Sequence, residues 1–276
     1  MTSLDTTVPK GLADLVGDTR AFRTEIWASR PAVFRRGIAA DYLTPARIWA
    51  MVDRGLLVHP YFRVAKDGVP VAPAEVSVTR SVQKKPLPTY ADPAAVRARY
   101  GDGHTLTLDE AGHWHAGIEA LLDGLRADLR AEVHAAAVLT PPGATAVAGS
   151  AGTHILVVQL TGQTRWQAGE LAVTLEPGDV LHVPAGTRRH ALAAACDALH
   201  LSLTVTPPSA RDLAELALAA FVKGERCERI AGSHHFMTPE EKIAWLRAEL
   251  GEHLAGLDLA ALMDRAVRLR QRGGRL

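Results

Sequence analysis

The chain has 276 residues, 47% of them hydrophobic, and its 31 basic and 30 acidic side chains leave a net charge of +1. That balance provides no field for a nucleic-acid backbone, and no apolar run approaches the roughly 18 residues a membrane span needs. With no basic-then-apolar leader in view, the sequence is expected to be a cytoplasmic globular protein: one large domain, or one with a small helical appendage.

Three zones follow one another. In the first, residues 1–130, the run FRTEIWASRPAVFRRG (Phe22–Gly37) puts Phe22, Ile26 and Trp27 at helical spacing before Pro31 ends it. His113 and His115 flank Trp114 just ahead of helical letters, so surface or helix-capping roles are expected for them. From His115 to Arg130 an apolar stripe of Ile118, Leu121, Leu122, Leu125 and Leu129 predicts an amphipathic helix.

The second zone, residues 131–207, alternates β-rich runs with turn letters. Ile155–Leu160 is apolar almost throughout, as in a strand covered on both faces, and Pro177-Gly178-Asp179 predicts a tight turn. In the third zone, residues 208–276, Leu213, Leu216, Ala217 and Phe221 form a helical stripe. Thr238-Pro239-Glu240-Glu241 reads as a helix start with Thr as N-cap and Pro at N1. Cys196 and Cys227 have no paired spacing and are expected to be plain thiols. No dinucleotide, Walker or nucleophile-elbow spacing is present.

The segments Thr153–Gln167, Leu175–Ala193 and Leu199–Val205, with P-A-G-T-R-R-H ending at His190, resemble the JmjC-type cupin family that includes the ribosomal oxygenases. The N-terminal zone extends the likeness through the tryptophan helix, Tyr61–Gly68 and Gly103–Leu108, so that it covers roughly Arg20 to Pro208. The resemblance implies a mainly β fold with flanking helices: a double-stranded β-helix (jelly roll), an N-terminal α/β region completing it, and a C-terminal helical region. It also implies Fe(II)/2-oxoglutarate chemistry on protein side chains.

The letters for that chemistry are altered. In the family an H-x-D pair precedes the Gln corresponding to Gln159 by ten and eight residues, and here those positions are Gly149 and Ala151. His190 matches the distal ligand, leaving one of three. Glu132, Glu170 and Glu176 fall at other strand positions. The basic anchor for 2-oxoglutarate corresponds to Thr164, whose hydroxyl cannot replace a charge-assisted pair with a carboxylate. Arg165 is adjacent but belongs to the opposite strand face.

The sequence is therefore expected to carry no cofactor and no family-type metal site. The alternative is iron or another divalent metal on a relocated set, His154, His182 and His190, although His154, His182 and His200 read more simply as structural histidines. His134, His234 and His235 are weaker candidates still, and Ser150 lacks an assignable base. The resulting expectation is a non-catalytic JmjC-like protein that binds a peptide or protein segment at a barrel mouth near Ser150, Thr164, His182 and His190. Presentation of a precursor peptide to a partner enzyme in a peptide natural-product pathway is the expected role. A metal-dependent oxygenase or isomerase acting on a peptide is the alternative. Long apolar stripes at Ala210–Phe221 and Ile243–Leu262 predict a homodimer.

Overall fold

The computed structural model describes residues 8–82, 84–146, 152–193 and 195–271. The strands in chain order are β1 (Ala32–Arg35), β2 (Phe62–Lys66), β3 (Val69–Pro70), β4 (Ser77–Val82), β5 (Lys85–Ala91), β6 (Thr105–Leu108) and β7 (Glu132–Thr140). They continue as β8 (Thr145–Ala146), β9 (His154–Thr161), β10 (Thr164–Ala168), β11 (Leu171–Leu175), β12 (Asp179–Val183), β13 (Arg189–Ala193) and β14 (Ala198–Thr206). A major sheet runs β1-β12-β9-β14-β7-β6-β2-β3 and a minor sheet β11-β10-β13-β8, with β4 and β5 forming a separate hairpin. The two facing sheets make the jelly roll expected from the resemblance.

Alternation decides which side chains fill the space between the sheets. Ile155 and Val157 of β9, Leu181 and Val183 of β12, Trp166 and Ala168 of β10 and Ala191 of β13 pack in one buried cluster. Leu156 and Val158 are buried as well, although they face away from that cluster. The outer face of the major sheet is covered by the N-terminal segment. There Asp18 caps a short helix by accepting from Arg20 N and Ala21 N at 2.9 Å. The helix passes into a π-turn over Phe22–Ile26 that delivers Phe22 and Trp27 onto the sheet. Phe22 is fully buried, and β1 then pairs antiparallel with β12.

The turn before β12 needs its glycine. Gly178 has φ 90°, and a Cβ there would meet Ile38 O at 2.9 Å. The helix Ala116–Leu129 buries Ile118, Leu121, Leu122 and Leu125, as its stripe predicts. His115 caps its start: Nδ1 accepts from Ile118 N at 3.3 Å, so Nε2 carries the proton and donates to Tyr42 O at 3.1 Å.

The chain divides into two compact units. The first runs to Asp128 and resumes over Val133–Thr206; the second takes Leu129–Glu132 and the residues from Pro207 onward. The second unit is helical. Ala210–Val222 starts from a Ser209–Asp212 capping box and buries Leu216, Ala217 and Phe221. Thr238 is the expected N-cap of Pro239–Ala255, and it forms a capping box with Glu241. Ile243, Leu246, Leu254, Leu259 and Phe236 remain exposed. Cys196 and Cys227 are free thiols. Among the described residues no helix is long and apolar enough to cross a membrane.

Candidate functional site

A polar hollow lies on the inner face of the major sheet, where the shorter minor sheet ends. It has a volume of about 380 Å³ and is bounded by Gly68 and Pro70 beside β3 and by Thr145 and Ala146 of β8, each an edge strand of its sheet. Its floor follows from strand alternation. Arg63 pairs with Thr107 and Ala65 with Thr105 across β2 and β6, and Thr107 pairs with Val138 of β7. His200, Ser202 and Thr204 line it from β14.

Its rim carries an arginine–carboxylate ion pair and a histidine–carboxylate contact. The Arg63 guanidinium donates to both Asp109 carboxylate oxygens at 2.7 Å, and His134 Nδ1 lies 3.1 Å from Glu110 Oε1. His200 is 2% exposed, sits edge-on to the buried Trp166 with ring centroids 5.5 Å apart, and its Nδ1 has no hydrogen-bond partner. Burial pushes its pKa down to about 4, so the ring is neutral near pH 7.

Of the histidines proposed for a relocated metal, His154 and His182 stack on one another with ring centroids 5.9 Å apart, whereas His190 lies on the minor sheet and does not join them. His182 lies between the inward Leu181 and Val183, so it points to the outer face. There its Nε2 donates to Trp27 O at 2.8 Å, and its ring packs 5.1 Å from Phe22 and 5.3 Å from Trp27. His154 is on the same face, flat against Trp27 at 4.0 Å with 8° between planes. Burial lowers the pKa of both rings, that of His182 to about 4.

His190 requires a correction of the same kind. Arg189 and Ala191 are buried, whereas His190 between them is exposed, opposite Gln167 on the outer face of the minor sheet. The residue that β13 turns inward is Arg189, which donates to Thr153 O at 3.2 Å. A one-residue difference in register on a strand exchanges the faces, and motif spacing does not reveal which face results. Among the described residues no group of three His, Cys, Asp or Glu side chains could hold a metal ion.

Thr164 is on the inner face and 1% exposed, and its hydroxyl has no partner. Arg165 is exposed. The described residues thus do not fit an iron ion with a 2-oxoglutarate anchor in the manner the resemblance implies. Gly149, Ser150 and Ala151 lie outside the described residues. The groove residues Arg63, Thr105, Thr107, Asp109, Ser202 and Thr204 were not anticipated from the sequence. Their signal is the alternation T-L-T-L in Thr105–Leu108 and H-L-S-L-T in His200–Thr204, polar on one face and leucine on the other.

Solved structures confirm the fold. The chain is similar to Escherichia coli YcfD at 19% identity, with TM-score 0.56 over 91% of this chain and 71% of that one. It is also similar to the ribosomal oxygenase YcfD in complex with cobalt and succinic acid, at 20% identity and TM-score 0.57 over 92% and 70% of the two chains. The YcfD complex with cobalt and 2-oxoglutarate matches at 20% identity and TM-score 0.53 over 87% and 67%. No protein-family model matches, and no curated protein matches. The fold is therefore that of the JmjC-type cupin proteins. The expectation of no cofactor is overturned by these neighbours: structures sharing the fold hold cobalt with succinic acid or with 2-oxoglutarate. Lack of a cofactor does not follow from this architecture.

Proposed function

We propose that this protein binds a peptide or protein segment in the groove of its first unit and holds it for a partner enzyme, as in maturation of a precursor peptide. The observation that carries this reading is the groove itself: a polar-floored channel of about 380 Å³ running between two edge strands. Edge strands offer backbone groups to an added strand, and alternating side chains on the floor meet alternate residues of that strand. Holding rather than oxidising is favoured by the uncharged Thr164 at the anchor position and by the outward direction of His190.

Thr107→p-benzoylphenylalanine, which puts a photo-crosslinker on the groove floor, should capture members of an extended-peptide library; the same residue in place of the exposed Arg165 should not. Equal capture at the two positions would sink the reading. The YcfD complexes with cobalt favour the alternative, a metal-dependent oxygenase acting on a peptide. Mass spectrometry of a captured peptide incubated with protein, iron and 2-oxoglutarate separates the two, because only an oxygenase adds an oxygen atom.

The exposed Ile243, Leu246 and Leu254 support pairing of two copies through the helical unit. Light scattering at micromolar concentration should give twice the chain mass of 29.5 kDa. The single-chain mass rules the dimer out.

A further inference from the structure

We infer that the groove floor at His200 receives an uncharged amide or hydroxyl group and selects against carboxylates and cations. The chemistry of the lining supports this. Thr105, Thr107, Ser202 and Thr204 present hydroxyls, each able to donate and accept. His200 adds a neutral ring, which has one N–H and one lone pair, and its buried Nδ1 has no partner within the protein. A floor of mixed donors and acceptors matches a group that also does both, as an amide or a hydroxyl does and a carboxylate or guanidinium does not.

The rim reinforces the choice. Asp109 and Glu110 face one arginine and one histidine, so the cavity has no surplus positive charge to hold a carboxylate. Both carboxylates are already engaged, Asp109 by both of its oxygens, so neither is left open for a fresh bidentate cation. An uncharged side chain such as that of Asn, Gln or Ser is what the groove accommodates without breaking either pair. The source of that group rests on the peptide-binding reading above, whereas the preference of the cavity does not.

Small probes test the cavity alone. Acetamide and acetate have nearly the same shape and differ in charge, and methylguanidinium supplies the cation. In full-length protein with ¹⁵N-labelled histidine at pH 7, the His200 ring can be assigned through its contact with Trp166. Acetamide should shift its ring nitrogens saturably, with acetate and methylguanidinium causing no saturable shift at the same concentrations. Thr204→Val keeps the shape of the side chain and removes the hydroxyl. It should weaken acetamide by about five-fold, the value of one neutral hydrogen bond, and Ser202→Ala should act in the same direction. Saturable binding of acetate or methylguanidinium as tight as that of acetamide overturns the inference. So does an unshifted His200 with acetamide, or an affinity unchanged in both variants. Peptide capture at position 107 with no acetamide response would reject this inference and leave peptide binding standing. An acetamide response without peptide capture would do the reverse.

Discussion

His182 and His200 stand on strands of one sheet, both essentially buried, and burial drives both down to a pKa of about 4. What separates them is the face of the sheet and what surrounds the ring, since the Nδ1 of each is buried without a hydrogen-bond partner. His182 points outward, where Trp27 O accepts its Nε2–H and the rings of Phe22 and Trp27 enclose it. His200 points inward, where Nδ1 has no partner and the ring lines the groove. Depth and pKa alone would class the two together. His200 is the one of the two that lines the groove, so its unused hydrogen-bonding capacity is the one a ligand there can meet.

Acid should break this comparison first, because both rings must remain neutral in the folded chain. Each folded pKa lies below the ordinary value of 6.5, so between about 4 and 6.5 the unfolded chain binds more protons. Stability is therefore complete above about pH 6.5 and is lost as pH falls toward 4. Each ring contributes about 3 kcal/mol to that loss by the usual conversion of pKa difference to free energy. Urea unfolding at pH 7 and pH 4.5 measures it. In His182→Phe the ring stays apolar and cannot charge, so stability at pH 7 drops with the lost Trp27 bond while the acid-induced fall becomes shallower. An equally steep fall in that variant would mean that His182 is not a buried neutral ring.

The architecture was legible because it rests on local chemistry. Proline and glycine mark the turn at Pro177-Gly178, the apolar run Ile155–Leu160 marks a doubly covered strand, and Thr238 with Glu241 marks a helix start. The site was less legible, because a site depends on which face each strand residue takes. Two successive residues on β13 look equally plausible as inward groups, and Arg189 rather than His190 takes that direction. Nor does spacing show that the N-terminal π-turn lays Trp27 over His154 and His182, which turns two apparent metal ligands into packing partners. The groove was visible only as leucine alternating with Thr, Ser and His, a pattern that also describes an ordinary strand with one face in water.

The finest test of the face argument is the neighbouring pair on β13. Arg189 is buried and donates to Thr153 O, so Arg189→Met removes that charge-assisted hydrogen bond and should cost about 1–3 kcal/mol. His190 is exposed on the outer face, so His190→Ala should change stability by less than about 0.5 kcal/mol. Any metal that co-purifies with the protein should be retained to the same extent in His190→Ala as in wild type, because an outward imidazole contributes nothing to a centre between the sheets. Thermal unfolding and metal analysis of the two variants side by side decide the matter. A loss of metal or a large destabilisation confined to His190→Ala would place that ring inside the barrel and reverse the assignment of faces along β13.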